Sequence, residues 1–99
     1  MAQGTMKAPL VMYKRFNFSN IPITTRSGGG AYYAPAGSRN VAVDGYTAIG
    51  AAVCDWETLA ANVVPYIAQS TQTIGFMSDI SQTAGAIDII VTYIKNASD

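Results

Sequence analysis

The run Ala86-Ile-Asp-Ile-Ile-Val-Thr-Tyr-Ile-Lys-Asn, close to the end of the chain, limits the possible fold more than any other stretch. Side chains of an extended chain alternate between two faces. Ile87, Ile89, Val91 and Tyr93 therefore share one side, and Asp88, Ile90, Thr92 and Ile94 the other. Both sides are largely apolar and rich in β-branched residues, which predicts a strand covered on both faces. A strand of that kind, closing a short chain, predicts the spine of a β-sandwich.

The 99 residues suffice for one core with little margin, since a chain of this size buries roughly 60–68% of its unfolded surface. The hydrophobic fraction of 49% is that of a folded protein, but the charged fraction of 12% is about half the usual ~25%. Two readings of the uncharged surface stay open: part of it is covered by a partner, or it is a coat of Ser, Thr, Asn and Gln. Six basic and six acidic residues cancel, so there is no electrostatic footprint for nucleic acid and no basic amphipathic stretch for a membrane surface. No apolar run approaches the ~20 residues that span a bilayer. The start, Met1-Ala-Gln-Gly-Thr-Met-Lys, lacks the basic and apolar regions of a signal peptide, which predicts synthesis inside the cell. Cys54 is the single cysteine, so no internal disulfide forms, and within an apolar strand it reads as a small buried hydrophobe.

Along the chain, residues 1–9 are small, polar and patternless, as in a tail or linker, and residues 10–99 read as a single β-sandwich domain. Residues 10–18 alternate as a first strand, with Lys14 interrupting one face as on an edge. Ser19-Asn20 predicts a turn, and Ile21-Pro-Ile-Thr-Thr a short edge strand, because Pro22 cannot donate to a central ladder. Ser27-Gly-Gly-Gly predicts a flexible loop before the aromatic pair Tyr32-Tyr33. Asp44-Gly45 predicts a tight turn. Residues 46–54 form a strand of small residues with Ile49 and Val53 on one face. Residues 55–62 are a two-turn helix capped by Asp55 and limited by Pro65, or a long loop. Residues 63–68, 73–78 and 86–95 follow as strands joined by short connections, so successive strands should pair as antiparallel neighbours. The outcome is an all-β, antiparallel, jelly-roll-like sandwich of roughly six to eight strands.

With no histidine in the chain, Ser-His and Cys-His catalysis, histidine metal sites and the commonest general base are removed together. One cysteine cannot build a zinc or iron–sulfur site. The glycines of residues 28–30 are not followed by the Gly-Lys-Ser/Thr of a phosphate-binding loop. Asp55 and Glu57 share a face of an extended chain, but a glycosidase pair needs a walled cleft for which this chain lacks bulk. We therefore expect no catalytic residues, no metal and no cofactor. Tyr32, Tyr33, Trp56 and Tyr66 fall in or beside expected loops, where an amphipathic ring offers a flat face to a sugar or a protein. The alternative is that Trp56 and a tyrosine close the ends of the sandwich. Tyr32, Tyr33, Asp55, Trp56 and Glu57 are the candidate ligand surface, because aromatics and acids coincide there.

Asp44-Gly-Tyr-Thr-Ala-Ile-Gly, the alternating middle strands and the closing Ile87-Asp-Ile-Ile-Val-Thr-Tyr-Ile-Lys-Asn resemble the C-terminal β-sandwich heads of bacteriophage tail fibres and baseplate receptor-binding proteins. In such heads a Gly-Tyr step opens a strand and an apolar strand closes the chain. The first strand, Val11-Met-Tyr-Lys-Arg-Phe-Asn-Phe, sits where theirs does. The last half of the chain carries the resemblance well and the first half loosely, and the 99 residues include no long shaft, as expected of a freestanding small protein, a fragment of a fibre or a chain that attaches elsewhere. The resemblance implies a homotrimeric, jelly-roll-like head on the virion that binds a host cell-surface polysaccharide or protein without catalysis. A structural virion component, decorating a capsid or assembling a tail and binding only other virion chains, is the alternative.

Overall fold

The computed structural model describes residues 9–55 and 63–97, and among them strand follows strand with no α-helix. The strands are β1 (Val11–Ser27), β2 (Tyr32–Pro35), β3 (Arg39–Asn40), β4 (Tyr46–Asp55), β5 (Val63–Ala68), β6 (Thr73–Ser78) and β7 (Gln82–Lys95). All ladders are antiparallel and make one sheet of seven strands. β5 pairs one edge of β6, β3 and β2 share its other edge, and β1, β7 and β4 continue from β2. The sheet folds over until its two edge strands, β4 and β5, run alongside each other. Extents of 56 × 29 × 16 Å fit two layers about 10 Å apart. The fold is all-β and sandwich-like, as the sequence predicts.

β1 differs from expectation. Its 17 residues, at ~3.3 Å each, run nearly the full length of the molecule. Ser19-Asn20 does not reverse the chain. Asn20 takes the left-handed region (φ 54°), which Asn tolerates better than most residues, and the register against β7 stays unbroken from Val11–Ile94 to Ile23–Gln82. The turn signal is absorbed as a local twist, because β7 starts at Gln82 rather than Ala86 and offers β1 a partner across the kink. Pro22 lies just before the β2 ladder begins at Ile23, where β1 has a neighbour on one flank only.

Successive strands pair only at β1–β2 and β5–β6; β7 inserts between β1 and β4 instead of pairing with β6. Its 14 residues carry a ladder on each edge, to β1 on one side and to β4 on the other. The core gathers Ile21 and Ile23 of β1, Ile74 and Phe76 of β6, and Ile87, Ile89, Val91 and Tyr93 of β7. The Tyr93 hydroxyl donates to the Val41 carbonyl, and burial pushes its phenol above the ordinary value. The opposite face of β7 is a correction to the sequence reading. Ile90 and Thr92 are half-buried and Ile94 is exposed, so only one face is covered among the described residues.

β4 carries bulges between Ala48 and Gly50 and between Val53 and Asp55. The first changes the alternation, leaving Ile49 exposed while Val53 packs against the core. Cys54, expected to be buried, is exposed for the same reason of alternation. Gln72, in the β5–β6 turn, holds the free edge of β4. Its Oε1 accepts the Ala48 N–H at 2.7 Å, while Nε2 donates to the Ala48 carbonyl at 3.3 Å and the Gln69 carbonyl at 3.0 Å. The Gln72 backbone carbonyl accepts the Val41 N–H at 3.0 Å. One amide side chain thus stands in for a neighbouring strand.

Candidate functional site

β2, β6 and β5 meet at one level, where Ser78 is opposite Tyr33 on one side and Val63 on the other. Alternation along each strand then brings Tyr32, Met77 and Val64 to the outside of this layer. With Ser78 and Asp79 they line an open depression of about 340 Å³. Tyr66 lies further along the same face of β5, its ring over Gly75 where a β-carbon would collide with it.

The glycine turn sets the position of Tyr32. Gly28 adopts φ 60°, and a β-carbon on it would come within 2.5 Å of Tyr32 Cε1, so only glycine allows both the turn and the close approach. The segment expected as a flexible loop is a hydrogen-bonded turn, with the Ala31 N–H donating to the Gly28 carbonyl at 3.3 Å. Arg26 braces it: Nη2 donates to the Gly30 carbonyl and Nη1 to the Tyr33 hydroxyl, each at 2.9 Å, with the guanidinium 5.0 Å from the Tyr33 ring centre. At the other rim the buried Ser78 hydroxyl donates to the Ile80 carbonyl at 2.9 Å. It accepts from the Ile80 N–H at 3.2 Å and from Gln82 Nε2 at 2.7 Å, which fixes the turn carrying Asp79.

The expected ligand surface is divided. Tyr32 lines the depression, whereas Tyr33 packs its ring against the core. Adjacent residues of a strand face opposite ways, so they cannot share one surface. Asp55 ends β4 in register with Asp88 of β7. Trp56 and Glu57, with the rest of the helix-or-loop segment 56–62, lie outside the described residues. Sequence reasoning missed Val64, Met77 and Asp79. The outward alternation of residues 64, 66 and 68 was visible, but which strand would lie beside it was not.

A second polar cluster sits on the outer face of the other layer. Asp88 accepts from Asn17 Nδ2 at 2.6 Å and Arg15 Nη2 at 2.9 Å. The Asn17 hydrogen bond, then that of Arg15, hold its carboxyl below the ordinary value of 3.8. A depressed carboxyl contributes stability above its unfolded pKa and loses it as pH falls through the folded one. We therefore expect Asp88→Asn to be less stable than the wild type above about pH 5, and the gap to narrow as pH falls below the ordinary carboxylate range, in denaturation experiments. A gap independent of pH would contradict this.

Among the described residues no group of three or more His, Cys, Asp or Glu could hold a metal ion, and no helix is long and apolar enough to cross a membrane. What the depression offers is an aromatic face, an apolar floor and a carboxylate at the rim. That set suits stacking against the C–H face of a sugar ring while the carboxylate accepts hydroxyl protons. Compared with family models, curated proteins and solved structures, the chain matches none.

Proposed function

We propose that this chain is a non-enzymatic recognition domain that binds a host cell-surface glycan, in the setting its resemblance to phage receptor-binding heads implies. The carrying observation is the depression in which Tyr32, held flat on its glycine turn, shares a wall with Val64, Met77 and Asp79. A shallow, open site suits binding to an extended polymer, which must lie across a surface rather than enter a closed chamber. The chain has no histidine, which removes the commonest acid–base catalyst. Trp56 and Glu57, outside the described residues, stay part of the proposed ligand surface because an aromatic and an acid coincide there in the sequence.

The test is a binding measurement of the purified protein against host cells and isolated host polysaccharides. A stacked ring contributing about 1.5 kcal/mol makes Tyr32→Ala roughly tenfold weaker with its fold unchanged. Undiminished binding by a folded Tyr32→Ala protein sinks the site. A wild type that binds no glycan favours the second reading, a structural virion chain whose ligands are other virion chains. One observation favours that reading specifically: the uncovered apolar face of β1, β7 and β4.

A further inference from the structure

Among the described residues, the depression of β2, β5 and β6 carries charge of one sign. Tyr32 and Asp79 each lie one residue beyond the Tyr33–Ser78 pair, so the ring and the carboxylate stand side by side at the same opening. Val64 and Met77, themselves a register pair, make the apolar floor. Asp79 is exposed, and so meets a ligand before the floor does. We propose that Asp79 fixes the charge class of the ligand: the site takes an uncharged glycan and excludes polymers bearing carboxylate, phosphate or sulfate groups. The proposal rests on the glycan reading above and adds to it which glycans fit.

A site for an acidic sugar sets Arg or Lys against the acid, a guanidinium above all, because its fork matches carboxylate and phosphate. Of the six Lys and Arg in the chain, Lys7 lies outside the described residues and none of the other five lines the opening. Arg26 is in register with Tyr33 and so shares that residue's face of the sheet, opposite to Tyr32. Its two Nη atoms are engaged there by the Gly30 carbonyl and the Tyr33 hydroxyl. Arg39 pairs with Ile74, four residues from Ser78 along β6 and therefore ~13 Å away. Lys14, Arg15 and Lys95 belong to β1 and β7 of the other layer. The stretch 56–62 contains Glu57 and no Lys or Arg. An acidic sugar stacked on Tyr32 would hold its charge roughly 5 Å from Asp79, the spacing of neighbouring strands, above a floor with no hydrogen bonds to give it. Two like charges that close in a partly solvated site weaken binding roughly tenfold. The hydroxyls of an uncharged sugar instead donate to the same carboxylate in charge-assisted hydrogen bonds.

The test measures binding of the full chain to neutral glucans, mannans and galactans and to the carboxymethylated form of each. The carboxamidomethylated form, similar in bulk and uncharged, controls for crowding. At ~0.1 M salt, where charges act over ~10 Å, the wild type is expected to bind a neutral polymer roughly tenfold more tightly than its carboxymethylated form. At ~1 M salt, where they act over ~3 Å, the gap should shrink to about twofold. Asp79→Asn keeps the shape of the side chain and loses its charge. It is expected to weaken neutral binding a few-fold and to bring the two forms within about twofold of each other. Circular dichroism reports whether the variant is folded. A wild type that binds the carboxymethylated form as tightly as the neutral one overturns the proposal. So does an equal loss on carboxamidomethylation, or a gap that persists in a folded Asp79→Asn. In those cases weaker binding by Tyr32→Ala shows that the glycan site itself stands. A wild type that binds no polymer of either charge overturns the glycan reading and this proposal together.

Discussion

Phe76→Ala is expected to lower stability by about 3–5 kcal/mol, the usual cost of emptying a fully buried aromatic site. Phe76 is 0% exposed at the middle of β6, opposite Pro65, and its ring meets Phe18 edge-on at 6.0 Å between centroids. Ile74 and Ser78 flank it on the inner face, and its loss opens a void between the two layers. A domain of this size holds roughly 5–15 kcal/mol in all, so the variant gives up about a fifth of it at the least. At about 4–8 °C per kcal/mol, its melting temperature falls by roughly 12–40 °C. Phe16→Ala supplies the contrast. Phe16 lies only 5.9 Å from Phe18 but is half-buried, on the stretch of β1 whose outer edge has no ladder. Its truncation is expected to cost less than half as much, because solvent already reaches the ring. Chemical denaturation of both variants measures the two values. Equal losses would place the core further along β1 than the burial of Phe76 puts it.

Which parts of this fold were legible in the sequence follows from how local their causes are. β5 and β6 begin and end where alternation and flanking polar residues predict, because Val63, Ile67, Ile74 and Phe76 declare their inner face within a few residues. The Asp44-Gly45 turn is equally local: Gly45 takes φ 82° and the Tyr46 N–H reaches the Val43 carbonyl. Pairing was not legible. Nothing near Ser19-Asn20 says that residues 82–85 will run opposite and carry the strand straight through a turn signal. The outward side of β7 misled for a related reason. Ile90 and Ile94 read as a second core face, and among the described residues no third layer covers them. Tyr32-Tyr33 read as one aromatic patch because they are adjacent, but residence in a strand sends the rings to opposite sides. The depression brings together β2, β5 and β6, and its membership depends on long-range register that composition does not encode.

The second large effect belongs to Gln72, which sequence reading treats as an ordinary residue of a polar connection. Its side chain makes three hydrogen bonds, two of them to the backbone of Ala48, which is fully buried on the β4 edge. At about 1 kcal/mol net for each, with the added cost of an unpaired backbone N–H, Gln72→Ala is expected to lose about 2–4 kcal/mol. Gln72 also occupies the left-handed region at φ 54°, so its conformation carries a penalty that the staple offsets. Gln72→Gly removes the same bonds but also that penalty, and should be about 1 kcal/mol more stable than Gln72→Ala. Asn tolerates the backbone but is one methylene short, so Gln72→Asn is expected to lose the contacts with Ala48. Hydrogen exchange separates a lost staple from general loosening: the Ala48 amide should exchange far faster in all three variants, while amides at the centre of β7 speed up only as far as global stability falls. An Ala48 amide that stays protected in Gln72→Ala would mean that β4 has another partner at this edge. Residues 46–54 contain no Lys, Arg or Pro, the usual guards of an edge strand, so releasing them should also make the variants more prone to associate at high concentration. A single uncharged amide then does for this edge what charge or proline does in other sheets, and it does so from the turn of the strand pair that β4 must meet to close the sandwich.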